Sequence, residues 1–521
     1  MTNRAGRLLT RIDRSGAGLT ADLFLYALSA AFALVTARTS TLLPHRAWGV
    51  IAFWAYLAAA LITVAQFVTG RRPRAALSWL TWVSACLLPL VVEAVQRAGG
   101  RTDRAQDEVL VVERMGDRLL HTGTPYLGRD AILALPVDQR LGAYSPYQPG
   151  MAVFGLPRAA FGDFWWTDAR VWFAAVTAGS LILAVRLLPR SPLRVRAVQV
   201  AAVSPICALT LATGGDDLPV LALCLLALAL AGTGRYGWAG VAVGAAGAMK
   251  PFAFPVIAAL VVLAISLQVR RARVPDGGDS AATGDASPAD SVPAADSLLV
   301  GDSLPARDSL PAGDSFPVGD SFPAGDSLPA ADSLPAADSL RAGSGLRVGS
   351  ALRVASRLPL GSYFFAAGDR FGDRARPLRL LAGAIGLPVL VLVPPVLVGL
   401  DGFVENVLRF PLGHGVVESP AQSPFPGYLI AQHLPAGHFL ATGLLVAVAA
   451  AFGVRLLRKP PRTATAAALL SGLGLLAAIL LMPTTRFGYL LYPAAFLVWA
   501  PALRSPTAAR APHGDAALYR R

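Results

Sequence analysis

The sequence predicts an all-α polytopic membrane protein, a bundle of about twelve transmembrane helices. Three observations carry this. Apolar stretches of bilayer-spanning length recur along the chain, each flanked by arginine or by turn residues. Of the 521 residues 54% are hydrophobic and only 15% charged, where a soluble chain carries about 25%. The basic residues fall in short segments between apolar runs, as a positive-inside bias places them, so the net charge of +14 implies no nucleic-acid partner.

The apolar runs occupy approximately 20–37, 48–69, 76–95, 168–188, 197–213, 218–233, 237–249, 252–269, 378–400, 437–457, 465–482 and 488–503. With the N-terminus inside, arginine-rich segments alternate onto the cytoplasmic side. These are Arg71, Arg72 and Arg74, then Arg186 to Arg196, Arg235, Arg270 to Arg273, and Arg455 to Arg462. Twelve crossings return the C-terminus, with Arg504, Arg510, Arg520 and Arg521, to the same side. The expected location is the cell membrane, multi-pass, with both termini cytoplasmic. The first residues hold Arg4, Arg7, Arg11 and Arg14 without a small-residue cleavage site, which reads as a retained cytoplasmic tail.

The expected organisation is an N-terminal transmembrane region over 1–269, including an extracytoplasmic loop at 96–167. A linker follows over 270–377, then a C-terminal transmembrane region over 378–503 and a tail over 504–521. Two segments depart from ordinary spans. The run 237–249 is Gly-rich and about 20 Å long at 1.5 Å per residue, shorter than a hydrocarbon core. Tyr147–Gly162 is apolar, short and broken by prolines, the pattern of a re-entrant or interfacial helix. From Asp290 the linker repeats every six residues, as in "DSLPAG" and "DSFPVG". Proline at the fourth position of most repeats argues against a β-helix and for a disordered low-complexity segment.

Chemistry is expected on the two long outward loops and the turns beside them. In the first loop, "DEVLVVERMGDRLL" has helical period, with Val109, Val112, Leu119 and Leu120 on one face. Gln106, Glu113 and Asp117 share another face, and Asp107 and Glu108 open the helix, where carboxylates complement its dipole. The second loop, 401–436, holds Glu405, His414, Glu418 and His433 among glycines and prolines. Asp216 and Asp217 mark the outward start of one span, and "GAMKPFAFP" puts Lys250 at an outward turn. Lys250 and Lys459 are the only lysines among 46 Lys and Arg. An ammonium at membrane depth in so lysine-poor a chain suits an anionic headgroup. "MPTTRFGYLLYP" adds Arg486 and Tyr489 at a further outward turn, and arginine is well shaped for phosphate. Cys86, Cys207 and Cys224 lie in apolar runs without metal spacing, and no residue is assigned to a metal.

Carboxylates able to accept a proton and cations able to hold a phosphate would thus converge on one face. The block "TGGDDLPVLALCLLALALAGTGRYGWAGVAVGAAGAMKPFAFP" resembles glycosyltransferase family 87, the polyprenol-phosphate-mannose-dependent mannosyltransferases of the GT-C superfamily. "DEVLVVERMGDRLLHTGTPY", "YSPYQPGMAVFGLPRA" and "TTRFGYLLYP" are similar to the family's first-loop and C-terminal blocks. The family's loop acid usually follows its first span, whereas three spans precede the loop here.

The resemblance implies a GT-C-like bundle and an inverting hexosyltransferase. It would pass a hexose, expected to be mannose, from a polyprenyl-phosphate donor to a cell-envelope lipid or glycan acceptor at the outer leaflet. Asp107 or Glu108 would be the general base, with Glu113 third. Lys250 and Arg486 would contact the donor phosphate, Asp216 and Asp217 would hold acceptor hydroxyls or a cation, and His414 and Tyr489 would line the substrate site. No cofactor is expected to be required, a divalent cation being left open. The partners would be the donor, the acceptor and membrane lipids. A lipid-linked sugar transporter or flippase, and a non-catalytic membrane scaffold, stand as alternatives.

Overall fold

In a computed structural model the described residues are 15–272 and 375–504. The repeat segment and both termini, with the linker and tail expectations attached to them, lie outside the described residues. Within them the chain is helical, and nine helices have the length and hydropathy to cross a membrane. The first three are α1 (Leu19–Thr39), α2 (Leu43–Thr69) and α3 (Arg74–Ala98). Then α4 (Asp107–Thr122) begins a long connection that continues through Arg129–Leu133, Val137–Ala143, Pro149–Phe154 and Leu156–Phe161. The chain re-enters the bundle as α5 (Ala169–Leu187), α6 (Leu193–Thr213), α7 (Asp217–Gly232), α8 (Tyr236–Met249) and α9 (Phe254–Ala272). The C-terminal part contributes α10 (Arg376–Val398), α11 (Gly437–Arg458), α12 (Ala464–Leu481) and α13 (Phe487–Ala502). Each of the twelve apolar runs is helical, but α7, α8 and α13 are shorter than the nine of spanning length, and the two parts of the chain pack into one compact unit.

Helix α7 is buried on all sides, against α5, α8, α12 and α13. A helix apolar all round belongs in such a core. At 16 residues it is about 24 Å long, too short for the whole bilayer. Helix α8 is shorter still, and its glycines explain its place. A Cβ at Gly240 would collide with the Leu380 carbonyl, and one at Gly244 with that of Gly383 on α10. This small-xxx-small face lets two backbones touch where lipid supplies no hydrophobic drive between helices.

Helices α3, α6 and α10 each contain a π-helical stretch, at Val83–Leu87, Gln199–Val203 and Ala382–Gly386. Carbonyls loosened there need donors inside the bundle. Trp48 Nε1 donates to Ala85 O at 2.8 Å and Tyr56 Oη to Val203 O at 2.7 Å, both from α2. Asp22 of α1 is buried between Arg74 of α3 and Arg196 of α6, at 2.5 and 2.6 Å, with Gln199 donating at 2.8 Å. Buried charge persists only when paired in this way.

The amphipathic reading of α4 holds for Val109 and Val112, which are buried, but not for Leu120, which is exposed. Glu113 differs more. It is buried, where Arg97 from α3 reaches it at 2.6 Å and Arg158 at 3.3 Å. Arg97 also meets Asp168 at 2.9 Å, and the fully buried Arg170 joins Asp168 at 2.8 Å to Glu93 at 3.0 Å. The Tyr147–Gly162 stretch forms two short helical turns that seat directly on α4. A Cβ at Gly155 would collide with the Val112 carbonyl, and one at Gly150 would lie 2.6 Å from Ala248 O at the end of α8.

Candidate functional site

The start of α4, the turn before α7, the end of α8 and the turn before α13 meet in one polar cluster. Asp216 and Asp217 sit where α7 begins, a position that suits negative charge. Lys250 terminates α8, its ammonium 2.6 Å from Asp217 Oδ1 and 3.0 Å from Asp216 Oδ2. The first contact is a hydrogen bond; the second is an ion pair whose alignment leaves Asp216 Oδ2 without a hydrogen-bond donor. Tyr492 Oη donates to Asp217 Oδ1 at 2.9 Å, and the Tyr147 ring lies 4.8 Å under the ammonium. Phe252 packs on Tyr489 and Tyr492, with ring centroids 4.8 and 5.0 Å apart. Arg486 pairs with Glu108 beside this group.

Three carboxylates therefore face two cations among aromatic rings, of which Tyr492 is buried and Tyr147, Phe252 and Tyr489 are partly exposed. Burial raises the Asp216 carboxyl above the ordinary carboxylate range; Lys250 opposes this, while Asp217 and Glu108 add to it. Burial works against charge on Lys250 too, but Asp216 and Asp217 together outweigh it and hold the ammonium protonated. The two aspartates are thus paired with Lys250.

The other predicted residues separate. Asp107 points outward at the start of α4, exposed, with Arg114 as its nearby charge. Glu113 is committed to Arg97 and Arg158. His414 is exposed in the second loop, against His438 and Phe439 at 6.0 and 5.2 Å. That loop is docked on the first. Glu405, fully buried, accepts from Tyr144 Oη at 2.6 Å and from Arg129 at 2.9 Å. Burial would raise its carboxyl, but these hydrogen bonds outweigh burial and hold it below the ordinary range. Asn406 accepts from Ser145 N at 2.7 Å, and the Ala421–Ser423 strand of backbone pairs with Thr485 next to Arg486. Sequence reasoning missed Tyr147, Tyr492 and Gln106, whose partners lie far away in the chain. Among the described residues no group of three or more His, Cys, Asp and Glu has metal-binding proximity.

Residues 145–274 match glycosyltransferase family 87. The matched stretch carries Tyr147, Asp216, Asp217 and Lys250, while Glu108 and Arg486 lie outside it. Over that stretch the chain is similar to enzymes that work with a sugar donor and an acceptor. No curated protein and no solved structure matches the chain.

Proposed function

We propose that this multi-pass membrane protein is a glycosyltransferase that takes a hexose, mannose by preference, from polyprenyl phosphate and passes it to a lipid or glycan acceptor of the cell envelope. The observation that carries the reading is the Lys250–Asp216–Asp217 cluster inside the stretch similar to family 87, with Glu108 and Arg486 against it. On this reading the cluster opens to the extracytoplasmic face and both termini are cytoplasmic, in keeping with the arginine distribution.

The acceptor hydroxyl gives its proton to a carboxylate as its oxygen bonds to the anomeric carbon from the face opposite the phosphate. The bond from that carbon to the phosphate oxygen breaks, inverting the centre, and polyprenyl phosphate leaves with the bonding electrons. Arg486 and Lys250 take up the charge that grows on the leaving oxygen. Glu108 is the favoured base over Asp107 and Glu113, because it alone of the three borders the Lys250 cluster. Arg486 is about two-fifths exposed, so a lipid phosphate reaches it and draws it off Glu108, freeing the carboxylate for the hydroxyl. Asp216, 3.0 Å from the Lys250 ammonium, accepts from a substrate hydroxyl.

The test is incubation of the purified protein in lipid nanodiscs with radiolabelled polyprenyl-phosphate mannose and an envelope lipid extract. Label appearing in a new lipid or glycan, with polyprenyl phosphate released in equal amount, supports the enzyme. Donor that crosses the bilayer of a proteoliposome with its sugar intact identifies a carrier instead.

A further inference from the structure

The two elements that bring carboxylates to the site, α4 and the turn before α7, are stapled together at two levels. Deeper in the bundle, the Arg170 guanidinium donates to the carbonyls of Arg104 at 2.7 Å and Ala212 at 3.1 Å. Nearer the site, Gln106 N donates to Thr213 O at 3.0 Å, and the Thr213 hydroxyl donates to Gln106 Oε1 at 2.8 Å. That hydroxyl shares its one hydrogen with Leu209 O at 2.9 Å. Gln106 caps α4 two residues before Glu108, and Thr213 precedes Asp216 by three. Gly214 makes room for the arrangement, since a Cβ there would stand 2.6 Å from Gln106 Oε1. The backbone of Gly214 is at φ −138°, which any residue adopts, so only the side chain of Gln106 forbids a larger residue.

The geometry points to Gln106 as a positioning residue. Through Thr213 it sets the separation between Glu108 on α4 and the Asp216–Lys250 pair. This rests on the reading of the cluster as a transferase site. Arg170 holds the same two strands regardless, and its four buried partners keep the fold intact when the outer staple is cut. Glu108 then drifts relative to the ammonium without loss of either group. In-line displacement is sensitive to such drift, because a misplacement on the order of 1 Å costs up to about a hundredfold in rate.

Thr213→Val removes the hydroxyl and keeps the shape, Thr213→Ser keeps the hydroxyl, and Gly214→Ala pushes the amide away from the other side. The valine and alanine variants are expected to lose about tenfold in kcat, with donor KM within about twofold of wild type. The serine variant keeps wild-type kcat, and all three melt within a few degrees of wild type. Independently of turnover, amide hydrogen exchange over 107–110 rises in Thr213→Val and Gly214→Ala and not in Thr213→Ser. Equal exchange in the valine and serine variants overturns the staple whatever the activity. A kcat loss that tracks a lowered melting temperature in every variant overturns the positioning role. A wild-type chain with no transfer sinks the functional reading, while the exchange pattern still decides the staple.

Discussion

Lys250 donates to Asp217 at 2.6 Å and holds Asp216 at 3.0 Å, so one ammonium is shared by two buried carboxylates that would otherwise repel each other. Removing it leaves both uncompensated. Lys250→Met is expected to cost about 3–5 kcal/mol of stability, the penalty for breaking a buried ion pair from one side. Thermal melting in detergent measures it. The triple variant with Asp216→Asn and Asp217→Asn recovers most of the loss, and its failure to do so would mean that the lysine stabilises by packing alone.

The three acidic residues of α4 are expected to behave differently on amidation. Glu108→Gln lowers kcat by about 10²–10⁴, the range for loss of a general base. Asp107→Asn, exposed and away from the cluster, stays within about twofold of wild type. Glu113→Gln loses its pairing with Arg97 and Arg158 and destabilises the fold first, by about 2 kcal/mol for a buried charged hydrogen bond, read as a lowered melting temperature. Full activity in Glu108→Gln would remove the proposed base.

Asp216 has its carboxyl raised by burial, which fixes two opposite pH trends. Activity that needs its charge falls as pH drops through a range above that of an ordinary carboxylate. Stability runs the other way. A carboxyl whose folded value is raised binds its proton more tightly in the folded chain, so this residue's contribution is present at acid pH. It is lost as pH rises from the unfolded value through the folded one. Asp216→Asn should therefore flatten the acid limb of the rate profile while melting no lower than wild type at pH 8.

The docking of the two long loops hangs on Glu405. Tyr144→Phe withdraws a hydrogen bond from a fully buried carboxylate, at a cost of about 1.5–3 kcal/mol. The second loop, 401–436, should become the first site of limited proteolysis, and unchanged cleavage would show that the contacts of Arg129 with Glu405 and of Asn406 with Ser145 suffice to secure it.

The positions of the helices were legible in the sequence because transfer energy accumulates over some twenty residues. The brevity of α8 was visible, but not its cause, since Gly383 lies in the other transmembrane region and shares no local period with Gly240 and Gly244. Lys250 stood out by rarity and Asp216–Asp217 by charge in an apolar setting. That they are one another's partners follows from α8 ending where α7 begins, which no spacing reveals. The ion pairs of Glu113 were hidden for the same reason, because Arg97 and Arg158 arrive from other elements. Gln106 and Thr213 are unremarkable residue types, 107 positions apart, and only their 2.8 Å contact gives them meaning.

The contact of Gly240 and Gly244 with Leu380 and Gly383 ties α8 to α10, helices that belong to the two transmembrane regions of the chain. The grip between these helices is a property of their surfaces and not of the peptide bonds between them. Two polypeptides made separately, one ending near residue 274 and the other starting near 367, carry both halves of that grip and should find each other in a bilayer.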